Sequence, residues 1–108
     1  MNKTTGIKIK KKEKNGKIIF KIKGQLSADT IADFEKSVDE LSDVKEGIII
    51  DLAGVNYVSR SGLRLLLRLS KIAHAFRKEC AVINVQDSVR ETFDATGFTE
   101  ILNVNYLG

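Results

Sequence analysis

The stretch DLAGVNYVSRSGLR, residues 51–64, joins the most apolar run of the chain, residues 48–50, to its longest helical pattern. We expect a buried strand to end at Asp51, a short loop to follow, and a helix to begin near Ser61. The loop then delivers Ser59, Arg60 and Ser61 to the start of that helix. Because a helix N-terminus has unpaired N–H groups and a partial positive charge, a phosphate on Ser61 would be well accommodated there.

The two serines of this stretch also have an interpretation as helix caps. A serine hydroxyl that precedes a helix often accepts a hydrogen bond from an N–H group of the first turn. From residue chemistry alone, capping and phosphorylation both stay open for Ser59 and Ser61. Of the other residues, Asp51 is a candidate acid or base, but binding of backbone N–H groups of the loop is the favoured prediction. Tyr57 is predicted to pack beneath the loop.

The pattern D-L-x-x-V-x-Y-V-S-x-S-G-L, residues 51–63, resembles the signature of STAS domains, in particular of the bacterial anti-sigma factor antagonists. The resemblance extends from the strand that ends at Lys23 to the strand near Val104. In that family, the serine before the Gly-Leu pair is phosphorylated by a kinase that is itself the anti-sigma factor. Ser61 is the matching position, so the resemblance implies that Ser61 is a phosphorylation site and leaves Ser59 as a cap.

The mechanism that the resemblance implies is partner switching. The unmodified domain would bind an anti-sigma factor with serine kinase activity and so release the sigma factor. Phosphorylation of Ser61 would break that complex, and a PP2C-type phosphatase would restore it. Ser59 and Ser27 stand where many family members carry acidic residues, and Arg60 directly precedes the acceptor. The alternative is a non-phosphorylated STAS interaction module, or a nucleotide or lipid sensor, in a signalling complex.

Three basic residues, Arg64, Arg68 and Lys71, recur at helical spacing and predict an exposed stripe on the helix that begins near Ser61. Such a stripe is either a solvated surface or the flank of a docking surface. Because it starts beside Ser61, it could also pair with a phosphate placed there. The predicted partner-binding surface has six members: Ser59, Arg60, Ser61, Gly62, Arg64 and Arg68.

Turn signals and hydrophobic periods divide the chain into an N-terminal hairpin followed by alternating helices and strands. Asn15-Gly16, between the alternating runs 6–12 and 17–23, predicts the hairpin turn. The predicted helices are residues 28–41 with Ser27 as N-cap, residues 61–76, and residues 89–96 with Asp87 or Ser88 as N-cap and Gly97 at the end. The remaining strands are predicted at residues 48–51, 80–85 and 99–104.

This order of elements predicts a single α/β domain over residues 1–108, with residues 1–5 flexible. Its sheet is expected to be mixed and mainly parallel, with about five strands and about three helices. The β-branched run at 48–50 suggests a central strand covered on both faces. The inner faces of the first two helices are predicted to hold Ile31, Phe34, Val38 and Leu41, and Leu63, Leu66, Leu67, Ser70 and Ala73.

The charge of the chain is unevenly distributed. Residues 1–23 hold nine lysines and one acidic residue, Glu13, although the whole chain has a net charge of only +4. A basic segment of this kind can bind nucleic acid or a membrane surface. Here the lysines alternate with apolar residues, which favours the solvated face of a strand, and edge strands use lysine to discourage pairing with other chains. Since no arginine or aromatic cluster accompanies them, no direct nucleic-acid binding is predicted.

Few residues of the chain are suited to catalysis. The single histidine, His74, lies roughly 20 Å along the helix from Ser61, too far for a catalytic triad. The sequence contains no Gly-rich phosphate loop and no metal-ligand pattern. The one cysteine, Cys80, is expected to be buried and unreactive. We therefore predict no enzyme activity, cofactor or metal. Because no apolar run is long enough for a signal peptide or a membrane span, we predict a cytoplasmic protein without a membrane partner.

Overall fold

The computed structural model describes residues 7–41, 43–97 and 103–106 of the 108-residue chain. One sheet contains five strands, β1 (Ile7–Lys14), β2 (Lys17–Leu26), β3 (Gly47–Val58), β4 (Cys80–Val85) and β5 (Asn103–Tyr106), in that spatial order. The three helices are α1 (Ala32–Asp39), α2 (Arg60–Ala75) and α3 (Asp87–Thr96). The β1–β2 pair is antiparallel and the other three pairs are parallel. The predicted α/β fold with a mixed, mainly parallel sheet is confirmed.

The hairpin of β1 and β2 turns at Asn15-Gly16, as predicted. Both turn residues have positive φ angles, +53° and +82°, which suit the type I′ turn that joins twisted antiparallel strands. The two strands are longer than predicted. The prediction that Gly24 ends β2 is wrong, because β2 continues to Leu26 through a register shift against β3 on each side of Gly24.

β3 differs most from its prediction. The strand does not end at Asp51 but continues to Val58, so most of the predicted loop is strand. From Ile48 to Asp51 it pairs with both β2 and β4, and beyond Asp51 it pairs with β2 alone. The predicted cover on both faces is met only in part among the described residues: Ile48 and Ile50 are buried, whereas Ile49 is half-buried.

α1 begins four residues later than predicted and ends two residues earlier. Ser27 is not its N-cap, because residues 28–31 form a turn in which the N–H groups of Thr30 and Ile31 both donate to the Ser27 carbonyl, at 3.0 Å. The predicted inner face is largely confirmed. Phe34 and Val38 are buried, whereas Ile31 and Leu41 pack against the core from its edge.

α2 lies within one residue of its predicted bounds at each end, but its buried face is broader than predicted. Leu65 and Leu69 are buried in addition to Leu63, Leu66 and Ala73, whereas Leu67 and Ser70 are only half-buried. These residues join one core with buried side chains from a single face of the sheet. The sheet face contributes Ile18, Phe20, Ile22, Ile48, Ile50, Leu52, Cys80 and Val82.

The last elements agree with their predictions in part. β4 has its predicted bounds, and α3 begins at Asp87 with Gln86 at the N-cap position and no side-chain cap bond, so the predicted Asp87 or Ser88 cap is wrong. Gly97 ends α3 in the left-handed conformation (φ +71°), as predicted. Of the predicted last strand, residues 99–102 lie outside the described residues. Within the described part of the chain, no helix is long and apolar enough to cross a membrane.

Candidate functional site

The site forms where β2 and β3 end side by side. Leu26 and Val58 are register partners at the ends of these strands, and Ser27 and Ser59 directly follow them. The Ser59 N–H donates to the Leu26 carbonyl at 2.7 Å, which continues the strand pairing into the connection. α2 then starts at the next residue, so Ser59 is the entire link between strand and helix.

Ser59 is the N-cap of α2, as predicted. Its hydroxyl accepts a hydrogen bond from the Gly62 N–H at 3.3 Å, and its carbonyl accepts the first helical bond from Leu63 at 2.9 Å. Ser59 thus satisfies one of the unpaired N–H groups of the first turn. Its hydroxyl is engaged in holding the helix start.

Gly62 allows the first turn of α2 to lie directly against the strand ends. A Cβ atom at this position would lie 2.8 Å from the Leu26 carbonyl oxygen and 2.9 Å from Cγ1 of Val58. Gly62 is buried, so it offers a partner no exposed side of its own. Gly62 can therefore contribute to the predicted partner-binding surface only by positioning the neighbouring residues of the first turn.

Ser61 is the second residue of α2 and is half-buried. Its hydroxyl makes no hydrogen bond within the described part of the chain. It lines a shallow groove of about 270 Å³ between α1 and α2, together with Ile31, Glu35, Arg64, Leu65 and Arg68. The two serines of the sequence motif are thus distinct, since Ser59 caps the helix and Ser61 faces the groove.

The surroundings of Ser61 are rich in positive charge. Arg60 and Arg64 are exposed on the first turns of α2, and that helix has no acidic residue in its first turn. Arg68, one further turn along, forms an ion pair of 2.5 Å with Asp39 of α1. The structure therefore brings Ser61, Arg64 and Arg68 to one groove. Arg60 is exposed directly before Ser61 but does not line the groove.

Residues at the connection between β4 and α3 bind the second half of β3, residues 52–58. Beyond Asp51, where β4 no longer pairs, the Gln86 side chain donates to the Ala53 carbonyl at 2.6 Å. Ser88 Oγ donates to the Asn56 carbonyl at 3.0 Å. Gln86 was not predicted to have a role, and Ser88 was predicted only as a helix cap. The local pattern contains no signal for them, because their partners are more than 30 positions away in the chain.

The remaining candidates have structural or surface positions. Asp51 Oδ1 accepts hydrogen bonds from the Ala53 N–H (3.0 Å) and from Asn84 Nδ2 (3.2 Å), which confirms its predicted backbone role. Tyr57 does not pack beneath the loop, because 49% of its surface is exposed. Burial raises the pKa of the Cys80 thiol to about 12, so the thiol stays protonated at neutral pH. His74 is exposed, and the described residues contain no cluster that could hold a metal ion.

These features, a five-stranded mixed sheet with a Ser-Gly-Leu helix start at the ends of β2 and β3, define the class of protein. The chain belongs to the STAS domain family, whose model matches residues 8–106.

Among curated proteins, the chain is similar to anti-sigma factor antagonists. It is 27% identical over 86 residues to the anti-sigma-B factor antagonist of Staphylococcus aureus (strain NCTC 8325), covering 79% of this chain and 80% of that protein. It is 29% identical over 80 residues to the putative anti-sigma factor antagonist BtrV of Bordetella bronchiseptica, covering 74% of this chain and 63% of that protein.

Solved structures show the same fold. An anti-sigma factor antagonist from Mycobacterium paratuberculosis has a TM-score of 0.84 at 16% identity, covering 97% of this chain and 90% of that one. A sulfate transporter family protein from Wolinella succinogenes has a TM-score of 0.74 at 17% identity, covering 86% of this chain and 79% of that one. At these identities the likeness concerns the fold alone.

Proposed function

We propose that this chain is an anti-sigma factor antagonist that works by partner switching. In its unmodified form it binds an anti-sigma factor with serine kinase activity, and the sigma factor is released. The kinase phosphorylates Ser61, which breaks the complex, and a PP2C-type phosphatase removes the phosphate. The names of the similar proteins support the first part of this proposal, and the geometry around Ser61 supports the second.

The observation that carries the proposal is that the hydroxyl groups of Ser59 and Ser61 have different roles. Ser59 uses its hydroxyl to cap α2, whereas the Ser61 hydroxyl makes no hydrogen bond to the described residues and borders a groove. A kinase that modified Ser59 would have to remove a helix cap. Modification of Ser61 leaves the cap in place and changes only the groove.

The charge around Ser61 explains how a phosphate could act as a switch without unfolding the domain. A phosphoserine adds about −1.5 to −2 charges, which the helix N-terminus and the Arg60 and Arg64 side chains would stabilise. The same group is bulky and strongly hydrated, so its burial in a protein interface is unfavourable. Phosphorylation is thus expected to preserve the fold and to weaken partner binding.

The same charges bear on the kind of partner. Ser27 and Ser59 are neutral, Arg64 and Arg68 line the groove, and the exposed Arg60 directly precedes Ser61. Glu35 is the carboxylate that shares the groove with them. We therefore expect the anti-sigma factor to present acidic residues to this surface, since opposite charges favour encounter and orientation.

The test is mass spectrometry of the protein purified from its own cells. Trypsin cuts next to Arg60 and Arg64, which leaves too short a peptide around Ser61. Cleavage before aspartate instead yields residues 51–86, which contain Ser59, Ser61 and Ser70. Electron-transfer fragmentation of this peptide assigns the phosphate to one of the three serines, and we expect it on Ser61.

A matched strain that produces Ser61→Ala provides the control. We expect the phosphorylated form to disappear in this strain and to persist in one that produces Ser70→Ala. A phosphate that persists in the Ser61→Ala protein would contradict the assignment. Absence of phosphate in the native protein under every growth condition would instead favour a STAS module that binds its partner constitutively.

A further inference from the structure

Five lysines share the face of the sheet that is opposite to the core. Lys8, Lys10 and Lys12 alternate along β1, and Lys21 and Lys23 alternate along β2 with the buried Ile22 between them. All five are exposed. The antiparallel register places Lys8 opposite Lys23 and Lys10 opposite Lys21, so these side chains lie next to one another. We call these five residues the lysine face.

Fold stability does not account for the lysine face. Like charges directly opposite each other on neighbouring strands are destabilising, and here two such pairs are adjacent. Edge protection explains lysines on β1, which is the edge strand. It does not explain Lys21 and Lys23, because β2 is paired on both sides and has no free edge.

The charge of the lysine face is largely uncompensated. None of its members forms an ion pair with the described residues. Asp51 lies opposite Lys21 on β3, but its carboxylate accepts hydrogen bonds from Ala53 and Asn84. The Lys14–Lys17 pair at the hairpin turn is excluded from the face, because Lys17 shares a cleft with Glu46 and Glu79.

Apolar side chains continue this face across the sheet. Ile19 lies opposite Lys12, Ile49 lies beside Ile19 on β3, and Ile83 lies beside Asp51 on β4. All three isoleucines are half-buried. The surface therefore combines a basic strip with an adjacent strip of partly exposed aliphatic side chains.

We propose that the lysine face binds the surface of a membrane that contains anionic lipids. Clusters of four to eight basic residues are attracted to such surfaces, and neighbouring aliphatic side chains can contact the boundary of the acyl chains. Protein interfaces are instead depleted in lysine. A nucleic-acid surface is disfavoured because β1 and β2 contain no arginine and their one aromatic residue, Phe20, is buried.

This proposal revises the sequence-based prediction that the chain has no membrane partner. That prediction rested on the absence of a segment long enough to span the bilayer and on the interpretation of the lysines as the solvated face of an edge strand. Peripheral attachment through a charged face needs no spanning segment. The lysine face is also separate from the groove at Ser61, since the groove is lined by α1 and α2.

The experiment is sedimentation of the full chain with vesicles. We expect retention on phosphatidylcholine vesicles that contain phosphatidylglycerol, none on phosphatidylcholine alone, and a decrease in retention as salt is raised. The variant Lys8→Glu/Lys10→Glu should bind at least about tenfold more weakly. It should stay folded, with an unchanged or higher melting temperature, because each new glutamate faces a lysine, Lys23 or Lys21.

The control variant Lys36→Glu/Lys45→Glu has the same net charge but alters exposed lysines outside the lysine face. Its retention should remain close to that of the unmodified chain. Equal loss in both variants would show that only net charge matters and would overturn the proposal. So would a failure to bind anionic vesicles, or binding of duplex DNA at protein concentrations that leave those vesicles unbound.

Discussion

α1 and α2 both follow strands that end side by side, yet only α2 begins directly after a single connecting residue. Ser27 and Ser59 occupy equivalent positions, one residue after the register partners Leu26 and Val58. Ser59 caps α2, and the helix starts at the next residue. After Ser27 the chain forms a turn, in which the Ser27 N–H donates to Thr30 Oγ1 at 3.0 Å. α1 then begins at Ala32 without a side-chain cap.

The comparison shows that a serine after a strand does not by itself start a helix. At α2, the first turn packs directly on the strand ends because Gly62 has no side chain, and this contact fixes where the helix starts. In α1, the inward-facing Phe34 makes an edge contact with Phe20 at 5.3 Å between ring centroids. The groove at Ser61 therefore has one side fixed by backbone packing and one fixed by side chains.

The largest effect is expected from Gly62→Ala. Alanine favours a helix interior by about 1 kcal/mol over glycine, but its Cβ would lie under 3 Å from the Leu26 carbonyl oxygen and Val58. We expect a net loss of about 2–3 kcal/mol in the free energy of unfolding, as for overpacked sites. Urea denaturation followed by circular dichroism measures this value.

Gly97→Ala is the matched control for Gly62→Ala. Gly97 has a left-handed backbone (φ +71°), and a Cβ atom added there would have no described atom within 4 Å, so only backbone strain opposes alanine. We expect a loss of about 1 kcal/mol. If Gly62→Ala were no more destabilising than Gly97→Ala, the close packing of the first turn of α2 would not be what fixes its start.

Elements with a clear local pattern could be predicted from the sequence. The Asn15-Gly16 turn, the bounds of β4 and the Gly97 end of α3 follow from neighbouring residues. The length of β3 could not be predicted in this way. Its second half pairs with β2 through register shifts around Gly24 and is held by Gln86 and Ser88 from a distant corner.

The candidate site was predictable to a similar extent. The family motif located the helix start, and the role of Ser59 as a cap followed from its place before α2. The groove itself depends on the packing of α1 against α2, which brings Glu35 and Ile31 to Ser61. The exposure of Tyr57 depends on the register shift between Gly24 and Gln25. Neither arrangement has a local sequence signal.

The second largest effect is expected on partner binding, where Ser61→Asp and Ser61→Ala should differ. Ser61→Asp places a negative charge in the first turn of α2, so we expect a folded protein that is more stable by about 0.3–1 kcal/mol. Its retention of the anti-sigma factor in a pull-down should fall by about tenfold or more. Ser61→Ala removes a hydroxyl without described partners and should keep both properties. A Ser61→Asp protein that is unfolded by circular dichroism would contradict this mechanism.

The third effect tests the two serines directly. Ser59→Ala removes the cap of α2 and should cost about 1 kcal/mol in the free energy of unfolding. Ser27→Ala removes a hydroxyl that lies 3.3 Å from Thr30 Oγ1 in a partly buried turn and should cost about half of that or less. Thermal unfolding of both variants provides the comparison. Equal losses would mean that the two connections are equally dependent on their serines.

The smallest effect on stability is expected at the ion pair between Arg68 and Asp39, which joins the two helices. Both side chains are about half exposed or more, at 47% and 60%. Exposed pairs contribute little, so Arg68→Ala and Asp39→Ala should each change the free energy of unfolding by about 0.5 kcal/mol or less.

The effects of Arg68→Ala and Asp39→Ala on partner binding should be opposite. Removal of Arg68 takes away a predicted contact with an acidic partner, whereas removal of Asp39 releases Arg68 for that contact. Pull-down with the anti-sigma factor should therefore show weaker retention of Arg68→Ala and stronger retention of Asp39→Ala. If retention were unchanged in both, Arg68 would belong to the contact between the helices and not to the partner-binding surface.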